Sequence, residues 1–594
     1  MRANHPGARD FALDSPPADF NAHPCRQNRA LMLLQLPVCL LLFFGITFGL
    51  AWPLAARLVA DPAEQLVTSA ALSLLGIFLF AWGVYVLALP PAGLWVLPAL
   101  ALAGAAAARR SLAAALSDRG ARGLVTAQLL VTGWCVGWLA LVVSYSGGGW
   151  AGDWFEHWER TQFFLQHWPR DYKFLGAYPL AARPPLVNVV TGVFLQVTRV
   201  DFPHYQLVST LLASLVFLPA GLLARRFGGG LHAIAVLAVL FMVSPLFVQN
   251  ATFAWTKLPA AFFVLAALYF FLRAWDGGTS PTTLVLGGTL LAAGLVAHYS
   301  AGPYAVMLAI AWLTLRPPAL RGGAWWRATG LAVLAGALVL VMWFGWSWLA
   351  YGARGTLLSN SSVTSGDMHH GNQAVKIGLN LFDTFVPHIF RRFDPALIAQ
   401  RSTWGWWRDV FFQCYQLNLP LAFGSVAWLA ILRELVRASR AAAPGVARFW
   451  VLFAIGVVFL GIATHGERDH WGLTHICLQA FVLLGLAFLA AHWSDLGRGC
   501  RLALIAGATV DFTLGIALQF AVQNFAPDRW LAAGRSLDDT IASYNATALM
   551  NLAAKLQHGV SFFGDSLALP FLVPAVWLVT VFVVALRRAR PAPT

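Results

Sequence analysis

Charge is what this sequence has least of. Asp, Glu, Lys and Arg make up 11% of its 594 residues, where a soluble globular chain carries about 25%. A chain so poor in charge cannot solvate its own surface, which excludes an ordinary water-soluble globule. Cysteine is scarce as well. Cys25, Cys39, Cys135, Cys414, Cys477 and Cys500 show no paired spacing, and Cys39 and Cys135 fall inside apolar runs. Neither a disulfide framework nor a thiolate metal site follows. No glycine-rich phosphate loop, HExxH pair or serine-hydrolase elbow occurs in a strand–helix setting. There is almost no soluble domain in which a Rossmann-type fold could bind a nucleotide sugar.

What the chain has is apolar surface. It is 59% hydrophobic, with 26 Trp and 42 Phe, and its mean hydropathy is +0.67. Such rings suit membrane interfaces and buried cores. A spanning helix needs about 20 apolar residues, and about fifteen segments are candidates. They lie near 31–52, 66–89, 92–107, 123–144, 205–224, 229–248, 257–273, 282–298, 300–315, 326–350, 416–433, 448–464, 471–492, 501–523 and 566–586, those at 92–107 and 300–315 being short. The first follows a polar tail containing Arg26 and Arg29, and others follow at once, so it reads as a membrane helix rather than a cleaved signal peptide. The expected fold class is all-α, a polytopic transmembrane helical protein.

The net charge of +15 invites a nucleic-acid partner, but its placement argues against one. Arg109/Arg110/Arg119/Arg122, Arg225/Arg226, Arg273, Arg316/Arg321/Arg327, Arg433/Arg437/Arg440/Arg448, Arg498/Arg501 and Arg587/Arg588/Arg590 fall between alternate pairs of apolar segments. The positive-inside rule accounts for that pattern and assigns these clusters to the cytoplasm from residue 108 onward. Membrane lipids, not nucleic acid, are the expected partners. The three segments before residue 108 fit less well, because they put the Arg-bearing tail outside; either one does not span or the tail is an exception.

This topology leaves stretches near 145–204, 351–415 and 524–565 outside, with short outside turns at Lys257 and at 465–470. Loops longer than about 15 residues are usually functional or disordered. The outside segments hold most of the acidic residues and histidines, whereas a carrier places its ionisable groups near the bilayer midplane. The chemistry is therefore expected at the outer surface.

The first outside stretch opens SGGGWAGDWFEHWERTQFF. Asp153, Glu156 and Glu159 share a helical face, which suits carboxylates converging on a substrate or a metal ion. The plainer reading is a capping box, with Asp153 as N-cap and Glu156 at N3. Next comes Arg183-Pro184-Pro185-Leu186, where two prolines preset the first turn of an apolar helix and hold Arg183 at its mouth. A fixed guanidinium there suits a lipid phosphate, or simply contacts headgroups. Lys257 opens another apolar helix and either snorkels to lipid or meets a bound phosphate. His298 and Tyr299 end a further segment, where a packed structural role competes with a binding one. The turn His465-Gly466-Glu467-Arg468-Asp469-His470 is dense in ionisable groups. It admits substrate recognition, a divalent metal or a plain solvated turn, and its spacing matches no standard metal signature. Asn250, Asn360 and Asn545 begin short glycosylation-type patterns that arise easily by chance.

These motifs in this order resemble the C-type glycosyltransferase (GT-C) superfamily, in particular the protein O-mannosyltransferase and lipid A aminoarabinose transferase branch. The resemblance spans about residues 123–350 and rests on an outside loop opening with Asp153 and Glu156, and on a basic residue before Pro-Pro-Leu. It implies an all-helical core with juxtamembrane helices in the first outside loop and catalysis outside. It also implies a polyprenyl-phosphate-linked sugar donor and an acceptor hydroxyl on a lipid, glycan or protein. Asp153 matches the catalytic aspartate, with Glu156 beside it, and Arg183 the basic residue near the donor phosphate. Lys257 is a departure, standing about where many relatives carry an acidic residue, and this weighs against a second carboxylate or metal there. No cofactor is firmly implied, and a divalent metal stays open.

The resulting division is an N-terminal tail and added helices (1–122), a transferase-like core (123–350) with its outside loop at 145–204, a large outside loop (351–415), and C-terminal helices (416–594) with an outside segment at 524–565. A bacterial inner membrane with the site facing the periplasm is the expected setting. The rival functions are a transporter or flippase of lipid-linked glycans, which predicts midplane charges and internal symmetry, and a non-catalytic scaffold of envelope assembly.

Overall fold

The structure is a computed structural model. It describes residues 29–139, 151–174, 178–275, 281–315, 322–359, 374–375, 377–378, 423–441, 444–464 and 478–525. Among these, the chain is built from helices and turns, with one isolated antiparallel bridge between Phe174 and Tyr178 and no strand. Five helical stretches are long and apolar enough to cross a membrane: Gln35–Leu58, Pro62–Val86, Phe202–Val243, Lys257–Trp275 and Gly323–Leu358. Pro91–Ala107 makes a sixth if it is joined to Arg109–Ser117 across a bend of 71°. The chain is an all-helical, multi-pass integral membrane protein.

Among the described residues the count is below the fifteen or so expected segments, and there are shorter apolar helices besides, one of them at a position not expected to span. Leu186–Val197, Pro281–Ala297, Tyr299–Leu315, Val446–Gly461 and Gln479–Ala491 are apolar but below full spanning length. The expected span at 416–433 is instead met by a helix over Phe423–Ala441, whose register carries Arg433, Glu434, Arg437 and Arg440. The segment at 566–586 lies outside the described residues, as does the N-terminal tail.

Local chemistry explains where helices begin and break. Asp61 caps Pro62–Val86, its carboxylate accepting from the amides of Ala63 at 2.8 Å and Glu64 at 3.1 Å, while Pro62 occupies a first-turn position that needs no amide. Asp201 does the same for Phe202–Ser214 through the His204 amide at 2.9 Å. The 42-residue stretch Phe202–Val243 is interrupted where Gly228 and Gly230 take φ of 99° and 54°, a left-handed region that other residues resist. The break follows Arg225 and Arg226, between the two expected spans.

Helices approach closely through small residues, as is common in membranes. A Cβ on Gly104 would lie 2.5 Å from the Gly49 carbonyl oxygen, and one on Gly288 would lie 2.6 Å from that of Ala332. The N-terminal helices are knit into the rest: Phe43 packs on Phe194, and the start of Pro62–Val86 meets the ends of two later helices. There Arg225 Nη2 lies 3.3 Å from Asp61 Oδ2, Arg273 pairs with Glu64, and the Tyr269 hydroxyl donates to Glu64 at 2.7 Å.

This arrangement fixes the two ends of the molecule. Lys257 and Arg273 stand near opposite ends of one 19-residue helix, about 24 Å apart at 1.5 Å per residue. Arg225, Arg226 and Arg273 gather at one end, where Arg226 also donates to the Leu272 carbonyl at 3.0 Å. The first outside loop gathers at the other.

Candidate functional site

The site is organised by the helix Ala151–Gln166. It begins two residues before Asp153, so Asp153 lies inside the first turn and is not the N-cap of the expected capping box. Its side chain is outside what is described. Glu156 does not turn back to the backbone as that box requires. It is fully buried, and its Oε1 accepts from Arg160 Nε at 2.7 Å, one helical turn on. Its Oε2 lies 2.9 Å from Arg183 Nη2 as an ion pair rather than an aligned hydrogen bond. Glu159, on the same expected face, accepts from the Tyr172 hydroxyl at 2.9 Å.

Arg160, for which the sequence analysis assigns no role, is buried beside Glu156, 1% exposed. Besides Glu156 it donates to the carbonyls of Leu180 at 2.9 Å and Pro179 at 3.1 Å, and its guanidinium carbon sits 4.2 Å from the centre of the Phe174 ring. One side chain thus ties the helix to the segment that delivers Arg183. Burial pulls its pKa down, and the adjacent Glu156 carboxylate opposes that pull and keeps the guanidinium charged. Its signal in the sequence was the i, i+4 spacing from Glu156, a helical ion-pair spacing.

Arg183 follows a short turn at Leu180–Ala182 and precedes the helix Leu186–Val197, as the double proline dictates. Lys257 is buried at the start of its helix, with Nζ 3.3 Å from the centre of the Trp255 ring. Ala254, also buried, holds a φ of 50°. A non-glycine residue in that region stores about 1–2 kcal/mol of strain, and the turn it makes sets Trp255 beneath the ammonium. His298 Nδ1 accepts from the Ser300 amide at 3.0 Å, and the Tyr299 hydroxyl reaches the Ala181 carbonyl at 3.4 Å. Burial raises the Tyr299 phenol to about 12.

His157 shows that these groups share one place. Its imidazole is held well below its ordinary pKa first by burial, then by the positive fields of Arg183, Arg160, His298 and Lys257. The structure therefore brings Glu156, Arg183, Lys257, His298 and Tyr299 together, adds Arg160 and His157, and puts Asp153 one turn from Glu156 on the same helix. It has one described carboxylate among three permanent cations, an arrangement suited to an anionic ligand. The turn holding His465, Glu467, Arg468, Asp469 and His470 lies outside the described residues.

A divalent metal finds no donor set here among the described residues. The group with metal-like spacing is Glu434, His492 and Asp495, and it lies elsewhere. His492 ends a helix whose Ala491 abuts Gly229 at the Arg225 end of the molecule. Arg437 already fills it, 2.7 Å from Glu434 and 2.6 Å from Asp495. Asn250 is likewise no glycan acceptor: it is buried, donating to the Leu246 carbonyl at 2.7 Å and accepting from Gln479 at 2.7 Å. Asn360 and Asn545 lie outside the described residues.

No protein-family model matches the chain, and no curated protein matches it. Among solved structures it is similar to ArnT from Cupriavidus metallidurans bound to undecaprenyl phosphate, with a TM-score of 0.45 and 16% identity over 77% of this chain and 77% of that one. It is also similar to ArnT from Cupriavidus metallidurans in the apo state, with a TM-score of 0.43 and 15% identity over 72% of this chain and 75% of that one.

Proposed function

We propose that this chain is a membrane glycosyltransferase of the GT-C type, moving a sugar from a polyprenyl-phosphate-linked donor to an acceptor hydroxyl on the outer face of a bacterial inner membrane. One observation carries the reading: Arg160 and Arg183 both meet the buried Glu156 carboxylate, and Lys257 joins them in acting on His157, at the loop ends of apolar helices. A prenyl chain can stay in hydrocarbon there while its phosphate meets fixed positive charge. A lipid phosphate is already a good leaving group, so the site needs a base for the acceptor and cations for the departing phosphate.

In the proposed step the acceptor oxygen attacks the anomeric carbon in line. The bond from that carbon to the phosphate oxygen breaks, its electron pair leaves with the phosphate, and the acceptor proton passes to Asp153. One displacement inverts the configuration. Arg183 and Lys257 hold the leaving phosphate, Glu156 positions Arg183, and no metal is required. The catalytic core is proposed as 123–350, with the helices of 1–122 as an addition braced against it.

Asp153→Asn tests the assignment, because an amide keeps the size of the carboxylate and cannot take the proton. Purified protein in detergent is to be given short-chain prenyl-phosphate sugars and an extract of acceptor lipids and glycans. The variant should lose about a hundredfold or more of turnover while remaining folded. Turnover at the wild-type rate removes Asp153 as base. Absence of any turnover by wild type, with no prenyl-phosphate sugar accumulating in cells that lack the protein, favours a transporter or scaffold.

A further inference from the structure

Two buried polar side chains on the helices of the cationic site each leave one atom without a partner among the described residues. His157 is 2% exposed, and its Nδ1 has no hydrogen-bond partner among the described residues; Asn188 is also 2% exposed, and its Nδ2 likewise has none. Buried polar atoms are nearly always paired, so an orphan needs a reason.

The two belong to adjoining turns. Glu156 and Arg183 join the entrance of the helix Ala151–Gln166 to that of Leu186–Val197. Further along, Gly192 packs on Leu165 and Thr161, with a Cβ there 3.4 Å from Leu165 Cγ and 3.7 Å from Thr161 Cγ2. One turn back along each helix from Thr161 and Gly192 come His157 and Asn188. The neighbours of His157 on its own helix are occupied elsewhere: Trp158 lies against Phe202 and Tyr205, Glu159 takes Tyr172, and Arg160 takes Glu156.

We infer that His157 and Asn188 form a hydroxyl-binding pair that recognises the sugar of the substrate whose phosphate Arg183 and Lys257 hold. The inference rests on the proposed transferase reading. A sugar hydroxyl is both donor and acceptor. It can donate to an imidazole nitrogen and accept from an amide N–H, which satisfies both orphans with one group. Burial and the surrounding cations keep His157 neutral, so its ring retains a lone pair for this purpose. A protonated imidazole could only donate. The pair binds and orients; proton abstraction stays with Asp153.

A binding experiment on the full-length protein in detergent tests this without depending on turnover. Tryptophan fluorescence would follow titration with farnesyl phosphate and with its mannosyl, glucosyl and arabinosyl esters. In wild type, at least one ester should bind about tenfold more tightly than a matched phosphodiester without a sugar, such as methyl farnesyl phosphate, the gain of about one good hydrogen-bonded group. His157→Phe and Asn188→Leu should each remove most of that gain and leave methyl farnesyl phosphate binding unchanged. His157→Gln, which keeps a polar atom, should retain part of it. If an ester binds better and the variants keep the whole advantage, or if the variants weaken all ligands equally, the pair does not recognise sugar, and its orphans are satisfied by buried water. If neither sugar-bearing nor sugar-free phosphate binds wild type, the phosphate reading fails and takes this inference with it.

Discussion

Glu156 Oε2 lies 2.9 Å from Nη2 of Arg183, and this contact joins the first helix of the outside loop to the mouth of the next apolar helix. The same carboxylate is held from its other oxygen by Arg160. Arg183 is therefore not a headgroup anchor left to snorkel; its position is set by an internal partner. Fixed charge is what electrostatic stabilisation of a developing phosphate needs, since nothing has to reorganise as the charge appears.

The buried Glu156–Arg160 pair should respond non-additively to substitution. Glu156→Gln leaves a fully buried guanidinium without its counter-charge and should cost about 3–5 kcal/mol. Arg160→Met should also destabilise, by removing one of the two cations that hold the carboxylate and releasing the Pro179 and Leu180 carbonyls. The double variant should be less destabilised than the sum of the two, because no buried Arg160 charge is then left without its counter-charge. Thermal unfolding of the purified variants measures all three, and strict additivity would show that the two side chains do not depend on each other.

Trp255 should matter through Lys257. An ammonium 3.3 Å from the ring centre gains up to about 2 kcal/mol when desolvated. Trp255→Phe keeps an aromatic face of smaller size and should weaken farnesyl phosphate binding slightly, while Trp255→Leu should weaken it by about tenfold. Equal binding by both variants and wild type would mean that Lys257 does not need the ring to reach the phosphate.

Much of this was legible in the sequence, and the gaps have physical causes. Apolar length and alternating arginine clusters foretold a helical membrane protein, and Arg225, Arg226 and Arg273 do meet at one end. Among the described residues fewer helices reach full spanning length than the apolar segments suggested, because hydropathy does not set helix length, as with Pro281–Ala297 and Gln479–Ala491. Glu156 and Arg183 were visible as unusual polar residues beside apolar helices, but their pairing across Tyr172–Tyr178 was not, since no periodicity links them. Arg160 carries an i, i+4 signal from Glu156 that stands beside the more conspicuous acidic spacing of Asp153, Glu156 and Glu159. His157 and Asn188 were not legible: a lone histidine and an asparagine in an apolar helix look like any packed polar residue until their partners prove missing.

Stability should fall on acidification partly through His157. Its folded pKa lies below the ordinary 6.5 because of burial and because Arg183, Arg160, His298 and Lys257 all repel a proton there. The unfolded chain therefore binds more protons than the folded one once the pH drops toward 6.5 and below. The contribution is fully present above 6.5 and is lost progressively as the pH falls from there to the lower folded value. Unfolding temperatures measured between pH 5 and 8 should decline toward acid in wild type, and His157→Gln should show a shallower decline. Identical slopes would show that the ring can protonate in place, and would remove its claim to a neutral lone pair.

Arg183 offers the sharpest separation between a phosphate clamp and a structural pin. As a pin it needs only positive charge opposite Glu156, so Arg183→Lys should keep both fold and activity. As a clamp it presents a planar fork to the phosphate as charge develops, and a lysine's single ammonium cannot reproduce two parallel hydrogen bonds. Glu156 Oε2, 2.9 Å from Nη2, fixes where the guanidinium sits. Arg183→Lys should therefore fold normally and retain only part of kcat/KM. Arg183→Ala should lose far more, on the order of 2–4 kcal/mol in transition-state stabilisation, by analogy with removing one preorganised donor. Glu156 complicates the alanine variant, whose carboxylate then faces the phosphate, so Arg183→Ala combined with Glu156→Gln should recover some activity if repulsion contributes to the loss. Steady-state kinetics with a short-chain prenyl-phosphate sugar, alongside unfolding temperatures, distinguish the outcomes. Loss of stability in step with activity across the series would return Arg183 to a structural role and leave Lys257 to hold the leaving phosphate.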